Sequence, residues 1–409
     1  MILLYHPTAN SNVRHAAVAL AESGQLCQFW TCVGWRSDGP LNKLLPNAIC
    51  TQLLRRLVPV SLFGCVRYYP IAECSRLSRG RIVGTGATSA WQRCLEVDAI
   101  YRGLDRAVAR EVEMCNAVKA VYAYEDGACE TFGRAAVLGL RKLYELPFGY
   151  WKAWHVILKE ERERMPEWAD TLQGAGDDDE KFSRKDQELA LADKVFVASS
   201  FCRSTLPNQM RVSNKVSVLP YGAPKCSSQS IAIATGKLRC IFVGALTQRK
   251  GISYLIDAMS MLGPNVTLTL IGAKPPVTCV PLERALKKHN WIGSASHEHI
   301  LEIMRTNDVF VFPSLFEGFG LVILEALAQG LPVITTANTG GPDIISDGVD
   351  GFIVPLRSAF AIAEKLELLA RDRKLLTAMK EAALRTAERN SWRGYRERFA
   401  AKVTECLSG

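Results

Sequence analysis

Short apolar runs alternate along this chain with longer stretches whose apolar positions recur at spacings of three and four. These are the periodicities of buried strands and amphipathic helices. Met1 to Tyr5 reads as a buried strand, Pro7 to Asn12 as a polar loop and Val13 to Glu22 as a helix. Further strands are predicted at Cys27 to Val33, Ala120 to Tyr124 and Val195 to Ala198, with helices at Leu104 to Lys119 and Asp186 to Ala192. A second series follows: strand Leu238 to Val243, helix Tyr254 to Met261, strand Val266 to Ile271, helix His299 to Arg305, strand Val309 to Phe312, helix Leu321 to Gln329 and strand Pro332 to Thr335. Such alternation predicts parallel sheets with helices on both faces.

Between the two series the composition shifts to Pro, Ser, Gln, Thr and Gly, the marks of a surface connection. This places a first domain at 1–220, a linker at 221–236 and a second domain at 237–387. In the last segment Trp392, Tyr395, Phe399, Val403 and Cys406 give one apolar helical face. The helix 388–409 either packs on the second domain as an ordinary terminal helix or crosses back to the first, and the latter is expected.

With 409 residues and 48% hydrophobic content, the chain can bury more than one core. Its thirteen cysteines are scattered and form no C-x-x-C pair, so they read as reduced thiols in a cytosolic chain. No apolar stretch approaches the roughly 18 residues that cross a bilayer, and the amino terminus is too short and too little basic to read as a secretory leader. The net charge of +9 suits anionic partners such as nucleotide phosphates or an acidic membrane surface. No nucleic-acid recognition motif accompanies it.

The candidate chemistry lies mainly after two predicted strands of the second domain. The run Phe310 to Phe312 leads through Pro313 and Ser314 into Glu317, Gly318, Phe319 and Gly320, and a helix carrying Glu325 follows. A strand that delivers glycines and a carboxylate to a helix start builds a phosphate-facing site, since free N–H groups and the positive helix end gather there. At 1.5 Å per residue, Glu317 and Glu325 are separated along the axis by at most about 12 Å. That span suits a nucleoside diphosphate sugar, with one carboxylate on sugar hydroxyls and the other on the ribose pair. A second cluster, Gly244 to Gly251, places Arg249 and Lys250 after another strand of the same domain. Fixed cations there neutralise the charge that a departing nucleoside diphosphate develops.

The stretches VGALTQRKG (Val243 to Gly251), Ile271 and Gly272, Trp291 to Gly293, FPSLFEGFGLVILE (Phe312 to Glu325), GLPV (Gly330 to Val333), GGPD (Gly340 to Asp343) and DGVDGFIVP (Asp347 to Pro355) follow one another in this order. On these residues, roughly 216 to 355, the chain resembles the donor domain of family 4 glycosyltransferases. The resemblance implies the α/β architecture called GT-B, two Rossmann-like doubly wound domains facing a central cleft. It also implies a retaining, nucleotide-sugar-dependent hexosyltransferase that needs neither a metal nor another cofactor. Carried onto this sequence, Arg249 and Lys250 bind the diphosphate of a UDP- or GDP-type donor and Glu317 holds the donor sugar; these three are the catalytic candidates. Gly244, Gly318, Phe319, Gly320 and Leu321 line the donor site, Glu325 grips the ribose and the base lies near Ile292. In the retaining mechanism so implied, the leaving phosphate oxygen helps to take the acceptor proton.

The first half resembles the family less closely. In place of a glycine-rich loop after the first strand stand Thr8 to Arg14, with Asn12 and Arg14 as cleft candidates; in place of a strand-end histidine stand Tyr122 to Asp126, with Glu125 and Asp126 as acceptor candidates. The expected acceptor is a glycan or a lipid-linked intermediate. Asp177 and Asp179 resemble a metal motif but read as a solvated turn, His297 and His299 lack the companions of a zinc site, and Cys202 reads as a buried structural thiol. From Arg36 to Arg81, eight cations stand against Asp38 and Glu73, interleaved with leucines and aromatics. That segment is a candidate contact with anionic lipid at the inner face of a membrane, or else a basic solvated face. The alternatives to a transferase are a nucleotide-sugar epimerase of similar architecture and a non-catalytic sugar-nucleotide or membrane-binding module.

Overall fold

The computed structural model describes residues 1–35, 56–71, 73, 97–172, 179–228 and 236–408. The first series builds a seven-stranded sheet from β1 (Ile2–Tyr5), β2 (Leu26–Thr31), β3 (Val66–Tyr68), β4 (Ala120–Tyr124), β5 (Arg141–Leu146), β6 (Lys194–Val197) and β7 (Val216–Val218). The second builds a six-stranded sheet from β8 (Leu238–Val243), β9 (Val266–Ile271), β10 (Asn290–Ile292), β11 (Val309–Phe312), β12 (Val333–Thr336) and β13 (Gly351–Val354). Every pairing in both is parallel. Fully buried strands such as Val309–Phe312 explain the unbroken apolar runs, because helices cover both faces.

The strand orders are β3-β2-β1-β4-β5-β6-β7 and β10-β9-β8-β11-β12-β13. Each reverses direction once, between β1 and β4 in the first sheet and between β8 and β11 in the second. At such a reversal the loops leaving the two strands diverge, and open α/β sheets bind ligands in the crevice outside those carboxyl ends. Helices used below are α1 (Ser11–Glu22), α2 (Val97–Met114), α3 (Trp151–Arg164), α4 (Asp179–Leu191), α5 (Ser200–Thr205), α6 (Ile252–Met261), α7 (His297–Arg305), α8 (Leu321–Ala328) and α9 (Trp392–Ser408).

Helix α9 lies on the first domain. Its buried Tyr395, Phe399 and Val403 meet core residues such as Tyr122, whose ring centroid is 5.3 Å from that of Phe399. Trp392 stacks on His15 at 4.0 Å, Arg396 pairs with Glu22 at 3.0 Å, and Gln25 donates to Thr404 at 2.9 Å.

Several expectations shift. Helix α4 starts at Asp179 rather than Asp186, with Asp179 and Glu180 in its first turn, where carboxylates complement the positive helix end. Asp179 therefore opens a helix rather than a turn; Asp177 lies outside the described residues. Helix α2 runs from Val97 to Met114 and stops short of Lys119, because the chain must turn at Cys115 to Val118 before entering β4. Within the basic segment, Arg36, Lys43, Arg55, Arg76, Arg79 and Arg81 lie outside the described residues. Arg56 pairs with the buried Glu73 at 2.5 Å, so one cation and one anion of that segment neutralise each other. No described helix is long and apolar enough to cross a membrane.

Candidate functional site

The loops leaving β8 and β11 meet at the reversal of the second sheet. After β8 the chain makes a short 3-10 turn, Gln248–Lys250, ended by Gly251 at φ 69°. A Cβ on Gly251 would lie 2.0 Å from the Pro313 carbonyl oxygen, so both the left-handed backbone and the close approach require glycine there. Leu315 N and Ser314 Oγ donate to the Arg249 carbonyl at 2.9 and 3.1 Å and pin the two loops together.

This pinning brings Arg249, Lys250 and Glu317 together. Arg249 donates to the Phe316 carbonyl and to Glu317 Oε2, each at 3.0 Å, and Lys250 Nζ contacts the same carboxylate oxygen. Burial by itself would raise the Glu317 carboxyl, but the two cations outweigh it and hold the group below its usual range. Burial lowers the Lys250 ammonium, with Glu317 opposing that shift. Two cations against one carboxylate leave a net positive charge. Glu317 Oε1 takes no hydrogen bond from the described residues, so this side chain can accept from a ligand without first leaving its cations.

Helix α8 begins immediately after this cluster, with Gly320 at φ 84° as its N-cap. The first N–H groups of such a helix have no partner within it and point toward the loop. Phe319 faces elsewhere: it is buried against Tyr221, centroids 5.3 Å apart, and its carbonyl accepts from Gly340 N at 2.7 Å. Glu325 sits in the second turn of α8, and its Oε1 accepts from His297 Nε2 at 2.9 Å. The Glu325 bond raises the imidazole, with burial opposing it. His297 is a residue that sequence reasoning set aside with His299, which pairs instead with Glu302 at 3.1 Å. Its only sequence signal was a polar loop after β10, at the same sheet edge. Ile292 ends β10 at that edge, where its carbonyl accepts from Gly272 N at 2.9 Å. Gly244, at φ 152°, follows β8 directly.

The first domain closes on the same loop. A Cβ on Gly318 would lie 1.8 Å from the Pro147 carbonyl oxygen, so glycine lets the two backbones touch. Ser199 Oγ and Cys202 Sγ donate to the Gly318 carbonyl at 2.6 and 2.9 Å, and Ser200 N donates to Asp343 at 2.9 Å. Burial pushes the Cys202 thiol up to about 12, which keeps it a protonated structural donor. Phe316 is fully buried among Phe148, Phe201 and Trp154, with centroids 4.9, 5.1 and 5.2 Å away. Deeper in the seam, buried Glu161 of α3 receives Gln248, Tyr254 and Arg357, each at 2.7 Å. Gly318→Ala is expected to cost about 1–3 kcal/mol through overpacking of this seam, readable as a lower urea midpoint.

The four first-domain candidates gather around the β1/β4 reversal but do different things. Asn12 is buried, donating to Tyr221 Oη at 3.1 Å and Glu145 at 3.4 Å. It belongs to a network in which Tyr122 and Tyr221 also donate to Glu145, at 2.7 and 2.6 Å. Arg14 donates to the Ala9 carbonyl at 3.0 Å, and Ala9 has φ 46°. Glu125 pairs with Lys185 at 3.2 Å; burial, opposed by that lysine, pushes its carboxyl up to about 7. Asp126, at φ 75°, lies 3.4 Å from Lys185, and its N–H donates to Glu188 at 3.0 Å. Two non-glycine residues in the left-handed region at the ends of neighbouring strands mark stored strain of the kind concentrated at functional sites. His6, directly after β1, is pulled down by burial to about 3 and so kept neutral, with Tyr101 Oη 3.2 Å from its Nε2.

A parallel-sheet pair with facing carboxyl edges and a cation-lined second-domain loop defines a class, the GT-B fold. Residues 226–386 match the family described as glycosyl transferases group 1. Capsular polysaccharide biosynthesis glycosyltransferase CapM of Staphylococcus aureus is 29% identical over 208 residues, 45% of this chain and 53% of that protein. A sucrose synthase of Acidithiobacillus caldus is 42% identical over 119 residues, 27% of this chain and 15% of that protein. The chain thus matches about half the length of CapM and less of the sucrose synthase. Among solved structures, sucrose-phosphate synthase from Thermosynechococcus elongatus aligns at TM-score 0.66 and 16% identity, covering 100% of this chain and 99% of that one. Anabaena HepE in complex with UDP aligns at TM-score 0.62 and 16% identity, covering 99% of each chain.

Proposed function

We propose that this protein is a retaining glycosyltransferase that moves a hexosyl unit from a UDP- or GDP-type sugar to a hydroxyl of a glycan or lipid-linked acceptor. The observation that carries this reading is the convergence of Arg249 and Lys250 on one oxygen of Glu317 at the start of α8, with Glu325 one turn further along the same helix. CapM and the sucrose synthase support it by their names and HepE by the UDP in its complex, each for its own chain.

The chemistry follows from charge placement. A diphosphate laid over the loop meets the Arg249 guanidinium, the Lys250 ammonium and the first N–H groups of α8. As the bond from the anomeric carbon to the phosphate oxygen lengthens, negative charge grows on that oxygen, beside groups already oriented to receive it. Glu317 accepts from donor-sugar hydroxyls through its uncommitted oxygen. The acceptor oxygen forms the new bond on the face the phosphate leaves, and its proton passes to the departing phosphate, so no protein base and no metal is required. Contact between the domains at Gly318 excludes water that would hydrolyse the donor.

Glu325→Ala is expected to raise the donor KM by roughly 10-fold or more, for one lost charge-assisted contact, with a smaller change in kcat. Initial rates of donor turnover check this; a fall in kcat alone would reject the ribose role. Incubation with donor and no acceptor tests the transferase itself: slow hydrolysis is expected, whereas a new nucleotide sugar would identify an epimerase. The basic segment 36–81 is proposed to contact anionic lipid, and flotation with anionic liposomes at physiological salt reads that directly.

A further inference from the structure

We propose that His297 is a positioning residue for the nucleoside end of the donor: its imidazole holds one oxygen of Glu325 so that the other faces the ribose hydroxyls. This rests on the donor-site reading above and adds to it a residue that the reading does not require.

The geometry comes from a helix capped at its own start and tied to α8 at its far end. Ser296 caps α7, its Oγ accepting from His299 N at 3.2 Å, which fixes the first turn and the direction of the His297 side chain. The far end of α7 is held to the end of α8 by Arg305, which donates to Gln329 Oε1 at 3.0 Å. Between these fixed points His297 Nε2 lies 2.9 Å from Glu325 Oε1. The imidazole is 60% exposed and the carboxylate 23%, so both border the open edge of the sheet rather than the core. Glu325 Oε2 receives no hydrogen bond from the described residues and is the oxygen left for a ligand.

A carboxylate on a helix surface otherwise samples several rotamers. A donor on one oxygen removes that freedom before the ligand arrives and lessens the ordering cost of binding. The charged groups facing the imidazole are Glu325 from α8 and Glu298 from its own helix. His299 is engaged with Glu302, and Arg305 with Gln329. Both carboxylates favour the imidazolium, so its charge persists to higher pH than in a free histidine. The protonated form binds Glu325 more strongly and adds positive charge near the nucleotide. The His297 contribution to nucleotide affinity is therefore largest below the imidazole's titration and falls as pH rises through it.

The test is calorimetric titration of the full chain with UDP and with GDP between pH 5.5 and 8.5, for wild type, His297→Ala and His297→Gln. Taking the ratio of variant to wild-type Kd at each pH cancels the titration of the nucleotide's own phosphate. His297→Ala is expected to weaken the preferred nucleotide about fivefold to tenfold at the acid end, the size of one hydrogen bond to a charged group, with the ratio shrinking toward the alkaline end. His297→Gln, which keeps an N–H donor without the charge, is expected to recover most of the loss at high pH and less at low pH. Ratios near one for both variants at every pH would overturn the inference while leaving the donor site intact. Failure of the wild type to bind either nucleotide would overturn the donor-site reading, and this inference with it.

Discussion

Lys250→Ala is expected to lower turnover by roughly 10²–10³-fold, the loss that follows removal of one fixed donor from developing charge, while leaving the chain folded. Lys250 is 9% exposed, and its ammonium lies over the Phe312 ring at 4.9 Å, so little water competes for its charge. A diphosphate leaving group gains charge in the transition state, and a buried cation already in position stabilises that state without reorganisation. The variant keeps Arg249 against Glu317, so no carboxylate is left buried and alone. Glu317→Ala is expected to lower turnover as well, through lost sugar orientation, but it leaves two cations unopposed and so weakens ground-state diphosphate binding less. Single-turnover rates with a matched thermal melt separate the two cases. Unchanged rates in Lys250→Ala would remove this residue from the chemistry.

Phe316→Ala is the second large effect. The side chain is fully buried, and its neighbours Phe148, Trp154 and Phe201 all belong to the first domain although Phe316 belongs to the second. Truncating a buried phenylalanine costs about 3–5 kcal/mol, and here the cost falls on association of the two domains. Phe316 directly precedes Glu317, so loosening the seam also frees the sugar-binding carboxylate. Small-angle scattering is expected to show a larger radius of gyration, and turnover is expected to fall at least about 10-fold. Affinity for a nucleoside diphosphate is expected to stay within about threefold, because its proposed contacts lie in the second domain. A compact variant with normal turnover would show that the aromatic seam plays no part in holding Glu317.

Much of the second domain was legible because its central strands, such as Val309–Phe312 and Val333–Thr336, are buried on both faces. Leu238–Val243, Val266–Ile271 and Val309–Phe312 coincide with the apolar runs that announced them. The first domain was harder to read where charges are buried. Strand β5 carries Arg141, Lys142 and Glu145, and only the folded network of Tyr122, Tyr221 and Asn12 around Glu145 explains a carboxylate there. Helix α3 carries Glu161, whose partners Gln248, Tyr254 and Arg357 come from the other domain, so nothing nearby in sequence announces it. The Arg249, Lys250 and Glu317 cluster was readable because each lies just after a strand of the same sheet. His297 and Glu325 were not readable as a pair, since their contact depends on the packing of two helices separated by a strand.

The most direct test is calorimetric titration of UDP and GDP against the wild type and the Arg249→Ala, Lys250→Ala double variant. The account predicts that the wild type binds at least one of them and that the double variant weakens that binding by roughly 100-fold or more, the cost of two charge-assisted contacts. Equal affinity in both proteins, or binding of neither nucleotide by the wild type, would contradict it.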